Sequence, residues 1–346
     1  MKVLPRSILY FGSNSPASTS HHRADSLRRL GCQVLEVGPE ELIGLRRRWQ
    51  SFFDYHTGFR WLQMRLLRAL RNSSVARGVS PDLVWVDSGE LYGPSLVKWL
   101  AERYLCPIIL YNVDDPTGFR DVLRFQSLRA SLPGYSLCVF VRQETALEAL
   151  ALGAQRVLTV HRSYDEIIHT PPKSTIKAPP ELVVSFIGTF IPGERRDNFL
   201  LELLQAGLPL RLIGDRWQRS RHWSSLRKVC QGRGLSGAAY AQALGSAAVT
   251  LGLLSHGNRD LITTRSLEAP AAGALFCAER SSEHQLLYEQ GQEALFWSTP
   301  AECIEQCRQL LEQPQCSLLI RKAGLQQVRR LGVGNEDICR QILATI

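Results

Sequence analysis

TTRSLEAPAAGALFCAE occupies residues 263–279. Two threonines precede Arg265 and Ser266, a helix-forming segment carries Glu268 and Pro270, Gly273 stops it, and the apolar run ALFCA follows. The order is helix start, short helix, glycine cap and buried strand. A helix beginning near Ser266 leaves its first N–H groups and the positive end of its dipole facing Thr263 and Thr264. Such an end can hold a phosphate, and Arg265 adds a cation to it. Glu268, one turn in, has the two acceptor oxygens that vicinal hydroxyls such as those of a ribose require. The plainer reading is a capped helix in which Glu268 only favours the dipole. Pro270 is expected near the first turn, where no intrahelical N–H bond is lost.

Short apolar runs recur on both sides of this stretch. SILYF (7–11), QVLEV (33–37), LVWVD (83–87), PIILYNV (107–113), LCVFV (137–141) and RVLTV (156–160) read as strands, with helical stretches between them. That alternation predicts a parallel sheet covered on both faces. It stops at HTPPKSTIKAPPE (169–181), with four prolines and two lysines. It restarts with LVVSFIG (182–188), LRLIG (210–214), VTLGLL (249–254) and ALFWS (294–298). The expected fold class is α/β, with two Rossmann-like doubly wound parallel-sheet domains facing a cleft. The expected divisions are an N-terminal domain over 1–165, a linker over 166–181 and a C-terminal domain over 182–334. A last helix over 335–346 is expected to cross back to the first domain.

The chain has 346 residues, 45% of them hydrophobic, enough for two cores. No run of about eighteen apolar residues occurs, which argues against a membrane-spanning helix. The start, MKVLPRSILYFGSNS, does not suit a secretory signal, so a cytoplasmic protein is expected. The nine cysteines form no CxxC pair, and Cys303 and Cys307 lie four apart on a helix-like stretch. They are read as buried free thiols, with no metal site.

The net charge of +9 is uneven: residues 44–78 hold eight arginines against one acid, Asp54. Phe59, Leu62, Leu66 and Leu70 share one helical face there, and Arg60, Arg65, Arg68 and Arg71 lie away from it. Trp49, Phe52, Phe53 and Trp61 stand among the arginines. One reading is an ordinary helix packed on a sheet. The other is a basic surface for an anionic partner, either a lipid surface or a phosphorylated substrate. Nucleic acid is not expected, because no recognisable nucleic-acid motif occurs.

Ligands of doubly wound sheets sit beyond the carboxyl ends of strands. The loops there carry Gly12, Asp114 with Asp115, Gly188 with Thr189, Arg195 and Arg196, Gly214, and the run from His256 through Asp260 to Thr264. His21 and His22 open the first helix, where an imidazole could act as a general base. Asp114 and Asp115 are adjacent, so their side chains diverge and do not form a chelating pair.

RSLEAPAAGALFCAERSSEHQLLYEQGQEALFWSTPAECIEQCRQLLEQP resembles the C-terminal domain of glycosyltransferases of the GT-B fold, and most of all the CgeB-like group of spore-maturation-protein type. The resemblance rests on the order and spacing of Arg265, Glu268, Gly273, Glu279, Gly291, Glu293, Pro300 and Glu302. FIGTFIPGERRDNFLLELLQAGLPLRLIGDRW is similar to that family's first C-domain strand, loop and helix. The resemblance implies a nucleoside-diphosphate sugar bound by the second half. It implies a glycan, lipid-linked or protein acceptor bound by the first, with no cofactor and no metal. Glu268 would hold the donor ribose. Arg265 and Ser266, with the loop from Gly188 to Arg196, would hold the diphosphate, with Arg195 or Arg196 as the cation. Gly214 and Tyr240 would border the base. Retaining relatives carry two glutamates eight apart. Asp260 stands at the first of these positions, one methylene shorter, and His256 or Asn258 could reach the sugar instead. An inverting mechanism would draw its base from His21, His22, Asp114 or Asp115. Two alternatives stay open: a nucleotide-sugar epimerase of the same architecture, and a non-catalytic or degenerate GT-B protein that binds an anionic partner through 44–78.

Overall fold

The structure is a computed structural model and describes residues 6–44, 53–73, 78–171 and 180–346. The chain divides into two compact units, one formed by Met1–Arg162 with Asn335–Ile346 and the other by Ser163–Gly334.

The first unit holds six parallel strands, β1 (Ser7–Phe11), β2 (Gln33–Val37), β3 (Leu83–Asp87), β4 (Ile108–Asn112), β5 (Leu137–Phe140) and β6 (Val157–Thr159), in the order β2-β1-β3-β4-β5-β6. Its helices are α1 (Thr19–Arg29), α2 (Pro39–Ile43), α3 (Arg60–Asn72), α4 (Pro94–Tyr104), α5 (Gln126–Ser131) and α6 (Gln143–Ala151). The runs of β3, β4 and β5 are apolar at nearly every position because the sheet is covered twice. Leu9, Phe11, Val84, Val86 and Leu110 point into one core layer, and Ile8, Tyr10, Leu83, Trp85, Ile109 and Tyr111 into the other. This is the two-residue period of a strand.

The second unit holds β7 (Glu181–Ile187), β8 (Leu210–Ile213), β9 (Ala247–Gly252), β10 (Phe276–Glu279) and β11 (Leu295–Trp297), all parallel, in the order β11-β10-β9-β7-β8. Its helices are α7 (Arg196–Gln205), α8 (Trp223–Leu226), α9 (Gly237–Ser246), α10 (Arg265–Ala271), α11 (Ser282–Leu287), α12 (Pro300–Glu312) and α13 (Pro314–Arg330). Strand order reverses between β1 and β3 in the first unit and between β7 and β9 in the second. These reversals open crevices at the carboxyl ends of the strands.

Helix α14 (Asn335–Thr345) belongs to the first unit. It buries Ile338, Cys339, Ile342 and Leu343 in the same layer as Ala24 and Leu27 of α1. Arg29 Nε donates to Glu336 Oε1 at 2.6 Å beside them.

The boundary between the units falls earlier than the composition suggests. Residues 166–171, expected as linker, are folded into the second unit. Asp165 and His169 are buried, and Asp165 Oδ1 accepts from the amides of Ile167 and Ile168 at 3.0 and 2.8 Å. Tyr164 bridges Gly334. The proline-rich remainder, 172–179, lies outside the described residues, as do 45–52 and 74–77 of the basic segment, with Trp49 and Phe52. No described helix is long and apolar enough to cross a membrane.

All nine cysteines are free thiols. Cys303 and Cys307 of α12 have sulfurs 4.0 Å apart, and Cys277 of β10 joins them, a third member that sequence spacing does not reveal.

Candidate functional site

The crevice between β7 and β9 gathers the residues singled out around Glu268. Helix α10 begins at Arg265, with Thr264 as its N-cap and no side-chain capping bond. Glu268 is only 6% exposed. Tyr240 Oη donates to its Oε2 at 2.7 Å, and His169 Nε2 lies 3.6 Å from its Oε1. Burial, and then the Glu268 charge, push the Tyr240 hydroxyl far above its ordinary range, so it stays protonated and donates. The Arg265 guanidinium sits 5.3 Å from the Phe186 ring centre and beside Gly188, where an added Cβ would lie 3.3 Å from Nη2. Its Nε is buried with no hydrogen-bond partner among the described residues.

Gly188 and Gly214 bring the ends of β7 and β8 into backbone contact. A Cβ on Gly214, which has φ +150°, would lie 2.0 Å from the Gly188 carbonyl oxygen. That oxygen also accepts from Trp217 Nε1 at 2.8 Å.

The start of α10 is fixed from behind. The Thr263 amide donates to Ser266 Oγ at 3.1 Å, and Ser266 Oγ lies 2.7 Å from His284 Nε2. His284 Nδ1 is 2.8 Å from the Glu279 carbonyl, which can only accept, so Nδ1 carries the proton and Nε2 takes the Ser266 hydroxyl proton. The ring stacks on Phe296 at 5.5 Å with an 11° angle. Burial brings His284 down to about 4, against the small upward pull of the carbonyl.

Pro270 lies past the first turn of α10, not within it as expected. It has no N–H for the Ser266 carbonyl one turn back. Tyr288 Oη donates to that carbonyl at 2.8 Å, which replaces the donor that the proline lacks.

Arg196 and Arg195 separate in role. Arg196 is buried and donates to the carbonyls of Thr189 and Leu254 at 3.3 and 2.9 Å, joining the loops after β7 and β9. Arg195 is exposed, holds left-handed φ at 53°, and lines a groove of about 640 Å³ with Arg219 and Arg221. The loop after β9 is held by Glu194, which accepts from Ser255 Oγ at 3.1 Å and from the amides of His256 and Gly257 at 2.9 and 3.1 Å. Burial opposes the Glu194 charge, but these bonds and the Arg196 charge hold its carboxyl below the usual range. The His256 ring lies between Glu194 at 3.2 Å and Glu279 at 2.8 Å. Desolvation lowers His256, but the two carboxylates outweigh it and raise it above its ordinary value. Asp260 is buried, and its amide donates to the Ser255 carbonyl at 3.2 Å.

In the first unit the candidates form separate groups. Gly12 ends β1 where a Cβ would lie 2.1 Å from Ser20 Oγ, so a glycine lets α1 start close to the strand. His21 Nδ1 is 2.9 Å from Glu36 Oε2, and its Nε2 is 3.4 Å from Asp25 Oδ2. These three are the other close grouping of metal-ligating side chains among the described residues. His22 turns inward, with Nε2 3.0 Å from the Pro16 carbonyl, so the two histidines do not act as a pair. Asp115 is buried and accepts from Thr145 Oγ1 at 3.1 Å, while Asp114 lies 3.4 Å from Arg124. Sequence reasoning missed the buried group at the β1–β3 reversal. There Asp87 accepts from Tyr10 Oη at 2.6 Å and from Arg23, whose guanidinium lies 3.9 Å from the Tyr111 ring centre. It also missed Glu194 and His169. Only Asp87 left a signal, as an acid closing an apolar run.

A family described as glycosyl transferase-like matches residues 195–343. The chain carries a glycosyl transferase-like domain. The match begins at Arg195 and takes in most of the second unit and nearly all of α14. Solved structures similar to the whole chain include Anabaena Alr3699/HepE in complex with UDP and glucose, with TM-score 0.65 and 12% identity over 98% of this chain and 99% of that one. Sucrose-phosphate synthase from Thermosynechococcus elongatus gives TM-score 0.68 and 12% identity over 99% and 100% of the two chains. An alpha-glucosyltransferase in complex with UDP-glucose and DNA containing an abasic site gives TM-score 0.65 and 11% identity over 98% and 99%. At these identities the likeness is one of fold: two parallel-sheet α/β domains of the GT-B type, with the transferase-like domain as the second. No curated protein matches the sequence.

Proposed function

We propose that the protein is a glycosyltransferase that moves a sugar from a nucleoside-diphosphate donor to an acceptor hydroxyl or similar nucleophile. One observation carries the reading. The buried Glu268 carboxylate stands in the first turn of α10 next to Arg265, at the reversal of a doubly wound sheet. Vicinal ribose hydroxyls donate to Glu268, and the base lies by Gly214 and Tyr240. The diphosphate meets Arg265, whose buried Nε supplies an unused donor, and the exposed Arg195. Guanidinium groups placed there stabilise charge as it develops on the leaving diphosphate, which supports a metal-independent mechanism. The motif order around Glu268 supports placing the chain in the CgeB-like group. Uridine diphosphate is the first donor nucleotide to try, because similar folds have been solved with it.

The acceptor half has one arrangement suited to proton transfer. His21 stands in the first turn of α1, and Glu36 at its Nδ1 can orient the ring as the partner of a general base does. An exposed face supports peripheral attachment of a cytoplasmic enzyme to an anionic membrane. On α3, Trp61 and Met64 are 71% and 52% exposed next to the exposed Arg60, Arg65 and Arg68, and Phe53 nearby is 61% exposed. Flotation with anionic and neutral vesicles checks this: binding to neither removes the membrane contact, and equal binding to both removes the role of the arginines in it.

The donor reading is tested by thermal denaturation against a panel of nucleoside diphosphates and nucleotide sugars. A ligand at a hundred times its Kd stabilises the fold by about 2.7 kcal/mol. One member should raise the Tm of the wild type, and Glu268→Gln should lose most of that rise with its unliganded Tm little changed. A rise equal in both proteins would place the nucleotide elsewhere.

A further inference from the structure

Glu268 is gripped by a residue outside the motif that marks it. His169 comes from the folded start of the connecting segment and is 3% exposed. Its Nδ1 faces both backbone polar atoms of Asp165, 3.1 Å from the amide nitrogen and 3.2 Å from the carbonyl oxygen. The ring has three protonation states. With the proton on Nε2 alone, Nδ1 accepts the Asp165 N–H. As an imidazolium, Nδ1–H donates to the Asp165 carbonyl. Both states present an N–H to Glu268. The third, with the proton on Nδ1 alone, would turn a nitrogen lone pair toward a carboxylate and is disfavoured. At 3.6 Å the Nε2–Oε1 contact is electrostatic rather than a hydrogen bond. The His169 and Tyr240 rings meet edge to face at 6.1 Å, so the two groups that hold Glu268 also brace each other.

The acceptor capacity that remains is specific. A carboxylate has about four lone-pair positions. Tyr240 occupies one on Oε2, and His169 stands against one on Oε1. One position is left on each oxygen, a match for two vicinal hydroxyls. A buried site built for hydroxyl donors rejects an analogue that lacks one, because its polar groups are left unpaired.

We infer that His169 is a positioning residue that fixes the Glu268 carboxylate so that it demands both ribose hydroxyls, making it a determinant of ribonucleotide over deoxyribonucleotide specificity. The inference rests on the reading of Glu268 as the ribose-binding group.

The test is equilibrium binding of the four common ribonucleoside diphosphates and their 2′-deoxy counterparts to the full-length protein. The wild type should favour the ribonucleotide by about tenfold or more. His169→Ala should reduce that ratio to about threefold or less. His169→Gln, whose amide N–H reaches toward Glu268, should restore it. His169→Asn, too short to reach, should behave like the alanine variant and carries the test if His169→Ala does not fold. A ratio unchanged in the short variants, with the ribonucleotide still bound, overturns the role of His169 and leaves Glu268 in place. A wild type that binds no nucleoside diphosphate overturns the donor reading and this inference together.

Discussion

His284 is held neutral to serve Ser266. Its folded value of about 4 lies below the unfolded value of 6.5. The stabilisation is therefore complete above pH 6.5 and is lost as the pH falls toward 4, because the unfolded state binds the proton more readily. A gap of that size is worth roughly 3 kcal/mol. Denaturant unfolding of the wild type should weaken by about this amount across that window. His284→Gln should be less stable at neutral pH and should flatten the slope. An unchanged slope would show that His284 does not titrate there. Residues whose partners lie close in the chain were the legible ones. Arg265, Ser266 and Glu268 share one short helix, and their types announce charge and hydroxyl recognition. His169 was hidden because its contact with Glu268 forms only when distant segments pack, and a single histidine beside a proline-rich run carries no pattern.

Among the elements, the touching ends of β7 and β8 make the sharpest prediction. Gly214→Ala drives a methyl group into the Gly188 carbonyl at a backbone angle alanine resists. A loss of about 2–4 kcal/mol is expected in chemical denaturation, along with weaker nucleotide binding. Gly193→Ala is the contrast: φ is +89° but nothing lies within 4 Å, so a loss of only about 1 kcal/mol is expected. Equal losses would mean that the Gly188 contact yields easily. The loop after β9 titrates in the opposite sense to His284. His256 is raised above 6.5, so its attachment to Glu194 and Glu279 is complete below pH 6.5 and lost as pH rises through the folded value. An NMR titration should place the His256 imidazole above 6.5, and Glu279→Gln should move it down. No downward movement would assign the shift to Glu194 alone. The strands were readable because a sheet covered on both faces needs unbroken apolar runs. For the start of the linker, four prolines suggested an open connector. Asp165 and His169 are instead buried, and the Asp165 side chain accepts from the amides of Ile167 and Ile168.

At the scale of the whole molecule, the expectation of two doubly wound halves came from repeated strand–helix alternation, a pattern that survives small errors at individual boundaries. The last helix was expected to join the first domain, but its apolar stripe does not show that α1 is the element it packs on. Ile338, Cys339, Ile342 and Leu343 are nearly or fully buried against the α1 face. Full burial of such side chains contributes about 1.5–3 kcal/mol each, together comparable with the net stability of a domain. Truncation after Gly334 should therefore lower the melting transition of the first unit and spare that of the second. Differential scanning calorimetry separates the two, and an unaltered profile would make α14 dispensable.

The same helix sets an order on biosynthesis. A ribosome finishes every strand of the second sheet before it makes the segment that covers Ala24 and Leu27. Through that interval the nascent first unit carries an unsealed oily seam, an opening for chaperones and for mispairing between neighbouring chains on one message.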